Sequence, residues 1–230
     1  MDKRTEYHRE MNDTIILVAT YFGNSMTTSC LSSILNAVTH PKILTYKNDE
    51  GWVKACNRMI DLVPNSDVIL LNDDTYVTTD IVKEMSEIAY SDPSIGIVGG
   101  KALSAAVKDM IINYGIYVAP DGNTAHRFYG KYDNEVTEVI KQQAVEGSCM
   151  FIKREVINKI GAFDEGYGMG YREEVDLCFR ARQAGYKVVS APNAKYMHFT
   201  SQTNSKLGIK NDTHEYFMKR WATPLALGEV

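Results

Sequence analysis

Over residues 14–100, short apolar runs alternate with amphipathic stretches. Residues 15–20 form a run rich in β-branched side chains, closed by Tyr21-Phe22-Gly23-Asn24, which predicts a buried strand and its exit loop. Leu31, Ile34, Leu35 and Val38 follow at helical spacing, and Pro41 ends that helix. A second strand over 42–46 runs into the turn-like Asn48-Asp49-Glu50-Gly51. Val53, Cys56, Ile60 and Val63 repeat with helical period until Pro64-Asn65-Ser66 breaks the pattern ahead of the apolar run 68–71. Ile81, Met85, Ile88 and Ala89 predict another helix, and residues 95–98 another strand. Strands alternating with helices in this order call for an α/β fold, a mostly parallel sheet covered by helices on both faces. Its ligands belong at the carboxyl ends of the strands.

Residues 101–146 lose this regularity and carry turn signals such as Pro120-Asp121-Gly122, so hairpins and loops are expected there. The pattern returns with a strand over 149–152, helices over 156–160 and 175–184, and a strand over 187–189. The polar stretch 200–210 is expected to be mobile, and residues 213–221 to form a last helix. A chain of 230 residues without internal repeats suits one domain with a substantial core. Residues 1–13 read as a polar N-terminal tail outside it.

Composition narrows the function classes only slightly. With 44% hydrophobic and 23% charged residues the chain reads as an ordinary globular domain. A net charge of −4 argues against a surface built throughout to hold nucleic acid. Cys30, Cys56, Cys149 and Cys178 are far apart, sit in apolar stretches and show no zinc-like spacing, so buried reduced thiols are expected. No apolar run approaches the roughly 20 residues of a membrane span and no signal peptide is visible, from which a cytoplasmic protein is expected.

Three places carry candidate chemistry. Asn72-Asp73-Asp74-Thr75 stands at the carboxyl end of the most apolar strand, where adjacent carboxylates can hold a hard divalent ion that bridges the phosphates of a nucleotide. The same residue types also suit a plain turn into the next helix. The second place is Glu146-Gly147-Ser148 leading into an apolar strand, followed by Gly161-Ala162-Phe163-Asp164-Glu165 and Tyr171-Arg172-Glu173-Glu174-Val175-Asp176-Leu177; the last sets three carboxylates at the start of a predicted helix, where the helix dipole favours the ionised form that a general base needs. Ordinary N-terminal helix charge reads the same way. His198 becomes a ligand only if it reaches the same ion as Asp74; a lone histidine is otherwise structural.

In their order along the chain these segments resemble glycosyltransferase family 2, whose domain has the GT-A fold. Val68-Ile69-Leu70-Leu71-Asn72-Asp73-Asp74-Thr75 looks like that family's metal-binding strand end. The residues Gly147-Ser148-Cys149-Met150-Phe151-Ile152-Lys153-Arg154 and Gly161-Ala162-Phe163-Asp164-Glu165 are similar to parts of its acceptor-side signature. So are Glu173-Glu174-Val175-Asp176-Leu177-Cys178-Phe179-Arg180 and Ala184-Gly185-Tyr186. Upstream, Asp49-Glu50-Gly51 and Ala55-Cys56-Asn57 continue the likeness, which is nearest to the rhamnosyltransferase-like branch and spans nearly the whole chain. Two departures stand out. Glu174 replaces the family's usual Asp, and the usual turn after the second strand is reduced to Asn48-Asp49.

The resemblance implies an inverting, metal-dependent transfer of a sugar from a nucleotide-diphosphate sugar to an acceptor hydroxyl on a glycan or other, possibly polymeric, molecule. It places the nucleotide sugar on residues 14–100 and the acceptor on 101–230. Mn²⁺ or Mg²⁺ is assigned to Asp74, with Asp73 nearby and His198 opposite; Thr20, Tyr21, Asn48, Asp49, Asn72 and Asp73 are assigned to the donor. Glu174 is implied as the base, with Glu173 orienting the loop or acceptor. At 100° per residue, Glu173 and Asp176 share a helix face while Glu174 points about a third of a turn away. Two rivals remain: a sugar nucleotidyltransferase, which needs a Gly-rich basic loop that Thr20-Tyr21-Phe22-Gly23-Asn24 lacks, and a non-catalytic nucleotide-sugar or glycan-binding module.

Overall fold

A computed structural model describes residues 14–20, 25–199 and 213–230; Tyr21 and the stretch 200–210 lie outside the described residues. The first half alternates as expected: β1 (Thr14–Thr20), α1 (Ser25–Ala37), β2 (Ile43–Lys47), α2 (Trp52–Leu62), β3 (Asp67–Asn72), β4 (Thr75–Val77), α3 (Ile81–Ser91) and β5 (Ile95–Ser104). Short strands β6 (Ile111–Asn113), β7 (Ile116–Val118), β8 (Thr124–His126) and β9 (Ile140–Lys141) follow. The chain ends with β10 (Cys149–Ile152), α4 (Arg154–Ile160), α5 (Glu173–Gln183), β11 (Lys187–His198) and α6 (His214–Ala226).

The main sheet runs β2-β1-β3-β10-β5-β11-β4, with β1, β2 and β3 mutually parallel and β11 parallel to β5. β10 is antiparallel to both β3 and β5, so its first residues emerge at the edge where β3 ends. Alternation along buried strands feeds two cores. Leu17, Val68 and Leu70 face α2, α4, α5 and α6, while Ile16, Ile69 and Leu71 face α1 and α3. Burial on both faces explains why β3 reads in sequence as an unbroken apolar run.

Two strands differ from the expectation: β4 is not among those foreseen, and β11 is longer than expected. The strand expected over 187–189 continues to His198, because Pro192-Asn193 forms a bulge between Ser190 and Lys195 rather than a turn. A bulge is where a strand tolerates a residue without an N–H. The middle carries the expected hairpin, β7 with β8, and a core of its own. Leu103, Ile111, Tyr114 and Val136 form their own small core, and the buried Lys101 ammonium donates to Asp133 at 2.7 Å. Among the described residues no helix is long and apolar enough to cross a membrane. All four cysteines are free and buried.

Candidate active site

The second half of β11 lies against β4, pairing His198 with Thr75, and this brings the imidazole beside the acidic end of β3. His198 Nε2 stands 3.2 Å from Asp74 Oδ1, and Nδ1 stands 3.2 Å from Glu146 Oε1. Neither contact is aligned as a hydrogen bond, so the three side chains form a row held by charge and packing. Burial opposes a charged imidazole, but the flanking carboxylates outweigh it and push the His198 pKa up to about 10. Glu146 shows the reverse balance: burial would raise it, and His198 holds it below the usual carboxylate range.

Asn72 ends β3 with a buried Oδ1 that has no partner, whereas Asp73 turns toward α1 and accepts from the Thr27 hydroxyl at 2.8 Å. At the same sheet edge the Asn48 amide donates to the Thr20 carbonyl at 2.7 Å, which brings the ends of β1 and β2 together. Asn48 is buried with its Oδ1 unpartnered, while the neighbouring Asp49 is exposed and faces Lys47 at 3.4 Å.

The acidic motif approaches from the other side. Ahead of α5 the backbone is left-handed at Gly168, Gly170, Tyr171 and Arg172; for the last two, which carry side chains, this conformation is costly. The Tyr171 carbonyl is held by the Thr213 hydroxyl at 2.8 Å. This bend aims the first turn of α5 at the sheet edge. A Cβ at Gly147 would stand 3.6 Å from Glu174 Cβ, and one at Gly170 3.7 Å from Glu173 Oε1, so glycines border both acids. Trp52, opening α2, flanks the same two glycines.

The helix dipole does not dominate here. Burial, then the charge of Glu174, raises Glu173 well above the usual carboxylate range; burial also raises Glu174, to which Glu146 adds. Two carboxyls this close titrate as a pair, and burial pushes both upward. Helical spacing puts Glu173 and Asp176 on one face, but the two acids sit in different surroundings, Glu173 with a buried oxygen that has no partner. Asp176 is fully buried and faces α6, accepting from Arg180 Nε at 2.6 Å, Trp221 Nε1 at 2.8 Å and Arg220 Nη1 at 3.4 Å. Asn57, from the upstream likeness, clamps the Phe163 backbone with two hydrogen bonds of 2.9 and 3.0 Å.

Buried polar groups normally find partners, so a cluster of unpartnered ones marks where a ligand belongs. Asn48, Asn72, Glu146, Glu173 and His198 all carry such atoms at this one edge, while Asn113 and Arg182 carry the others found among the described residues. No three His, Cys, Asp or Glu side chains among the described residues converge as a metal cage. The donor set nevertheless fits a diphosphate-bound divalent ion, which takes one or two protein ligands beside phosphate and water oxygens. Asp74 and His198 stand close enough to share one cation, and Asn72 Oδ1 is open beside them. Sequence reasoning marks Glu146 with Gly147-Ser148 as candidate chemistry but gives it no role in the site, because nothing in the sequence links it to His198.

A profile described as Glycosyltransferase like family 2 matches residues 7–218. Among curated proteins the chain is similar to the uncharacterized protein y4gI of Sinorhizobium fredii, 28% identical over 68% of this chain and 18% of that protein. It is also similar to N-acetylglucosaminyl-diphospho-decaprenol L-rhamnosyltransferase of Mycobacterium tuberculosis, 36% identical over 27% of this chain and 20% of that protein. The chain thus spans about a fifth of the length of these relatives. Among solved structures, GalNAc-T7 with UDP, GalNAc and Mn²⁺ superposes with a TM-score of 0.64, at 12% identity over 80% of this chain and 43% of that one. A197 from STIV gives 0.57, at 14% identity over 82% and 86%. TarS residues 1–349 of S. aureus gives 0.53, at 12% identity over 81% and 60%.

Proposed function

Since the chain belongs to glycosyltransferase-like family 2 and is a glycosyltransferase with the GT-A fold, we propose that it moves a sugar, with inversion, from a nucleotide-diphosphate sugar to an acceptor hydroxyl in a reaction that depends on a divalent ion. The observation that carries the reading is the meeting of unpartnered buried acceptors with the Glu173-Glu174 pair at one sheet edge. Residues 14–100 form the donor side and 101–230 the acceptor side, with a glycan or other hydroxyl-bearing molecule, polymeric or not, as acceptor.

Asp74 and His198 would hold Mn²⁺ or Mg²⁺, with Asn72 and Asp73 alongside. When bound, the ion neutralises the charge that grows on the leaving diphosphate. Thr20, Tyr21 and Asn48 receive the nucleoside; Asn48 Oδ1 is an acceptor ready for a base or ribose donor, and the exposed Asp49 follows it in the chain. Glu174 takes the proton of the acceptor hydroxyl as its oxygen bonds to the anomeric carbon and the bond to the diphosphate breaks. Glu173, buried beside it with an unpartnered oxygen, orients the loop or the acceptor. Asp176 acts on the fold, fixing α5 to α6. The structure of GalNAc-T7 with UDP and Mn²⁺ supports the choice of ion and donor class.

The test is a panel of nucleotide sugars incubated with Mn²⁺ and scored for slow release of free sugar, which needs no acceptor. Release from one donor class, abolished by chelator, is the expected result. Turnover of no nucleotide sugar, with binding intact, would favour a non-catalytic module instead.

A further inference from the structure

The row Asp74, His198, Glu146 is longer than metal binding by Asp74 and His198 requires. Glu146 comes from the loop entering β10, a strand antiparallel to β3, so its presence beside His198 is a product of the sheet's topology rather than of neighbouring sequence. Its carboxylate approaches Nδ1, the nitrogen turned away from Asp74, at 3.2 Å. Its side chain is one-fifth exposed, and no Lys or Arg pairs with it among the described residues. An acid sequestered this far needs a local reason. An imidazole whose second nitrogen faces a carboxylate has its ring orientation fixed and its other nitrogen made a better donor, and such outer partners govern metal affinity.

We infer that Glu146 is a positioning residue for the divalent ion, acting through His198: its carboxylate faces Nδ1 and turns Nε2, the nitrogen from which an arriving ion displaces the proton, to the Asp74 side. This rests on the metal-dependent reading of the site. The row also explains why the second half of β11 continues past its bulge, since an end near Val189 would leave His198 far from both carboxylates.

The probe is Mn²⁺ alone, its free-ion signal followed by electron paramagnetic resonance in wild type, Glu146→Gln, Glu146→Asp, His198→Ala and the double variant His198→Ala/Glu146→Gln. Thermal melts of each confirm the fold. Glu146→Gln is expected to weaken Mn²⁺ binding roughly 10- to 100-fold, the usual scale for such a partner, with Glu146→Asp recovering part of it. In the His198→Ala background the Glu146 substitution should add nothing, because its route to the ion is gone. Equal binding by wild type and Glu146→Gln overturns the inference while leaving the metal reading intact. An additive loss in the double variant also overturns it, making Glu146 a direct ligand. No Mn²⁺ binding by wild type, either alone or with uridine diphosphate present, overturns both readings.

Discussion

Helix α5 carries two kinds of buried acid within one turn. Asp176 has Arg180, Arg220 and the Trp221 indole around it, and it ties the last helix to the domain. Glu173 keeps a buried oxygen without a partner, and Glu173 and Glu174 are each bordered by a glycine. Three carboxylates that look alike in sequence are therefore separated by satisfaction. One is spent on holding the fold, and two are left with unmet electrostatics that a substrate can complete. The same contrast runs across the sheet edge, where Asp73 is engaged by Thr27 while Asn48 and Asn72 wait.

Substitutions on α5 break this comparison most sharply. Glu174→Gln keeps size and removes basicity, so turnover should fall roughly a hundredfold or more, the usual scale of general-base catalysis, while the melting temperature stays near wild type. Steady-state kinetics and a thermal melt check both halves. Asp176→Ala should do the opposite kind of damage. It leaves the buried Trp221 N–H without its acceptor and takes from Arg180 its carboxylate partner, and should cost about 3–5 kcal/mol of stability, read by denaturant unfolding. Should Asp176→Asn be stable but inactive while Glu174→Gln stays active, the two roles would have to be exchanged.

The pH profile sharpens the same point. Burial raises the Glu174 carboxyl above the ordinary glutamate value, so it takes up its proton at a higher pH than a solvated acid. Catalysis needs the ionised form, and activity should therefore fall, as pH drops, already above the ordinary carboxylate range. A profile of kcat/KM whose acid limb sits at the solvated glutamate value contradicts this environment.

A smaller effect is expected on the donor side. Asn48→Ala removes one buried acceptor, and the loss of a single hydrogen bond of about 0.5–1.5 kcal/mol should raise the donor KM roughly 3- to 10-fold with kcat little changed. Asp49→Ala, at an exposed position, should have less effect still.

Much of this was legible in the chain. Apolar runs such as 68–71 mark strands buried on both faces, and Asn72-Asp73-Asp74 at the end of one marks the ligand edge. What stayed hidden depends on direction and distance. The reversed course of β10 puts Glu146 beside His198, and the bulge at Pro192 looks like a turn until its flanking strands are seen to pair with the same neighbour. Helical periodicity predicted where the α5 side chains point, but not the left-handed Tyr171-Arg172 lead-in, nor that α6 would satisfy Asp176 while Glu173 keeps a buried oxygen without a partner.

The central claim is that the unsatisfied edge holds a nucleoside diphosphate through a divalent ion on Asp74. Calorimetric titration of uridine, thymidine and guanosine diphosphates into the protein, with Mn²⁺ and with excess chelator, tests it directly. The account predicts binding of at least one with Mn²⁺, lost both in chelator and in Asp74→Ala. Equal affinity in excess chelator, or an Asp74→Ala protein that binds as wild type does, would contradict it.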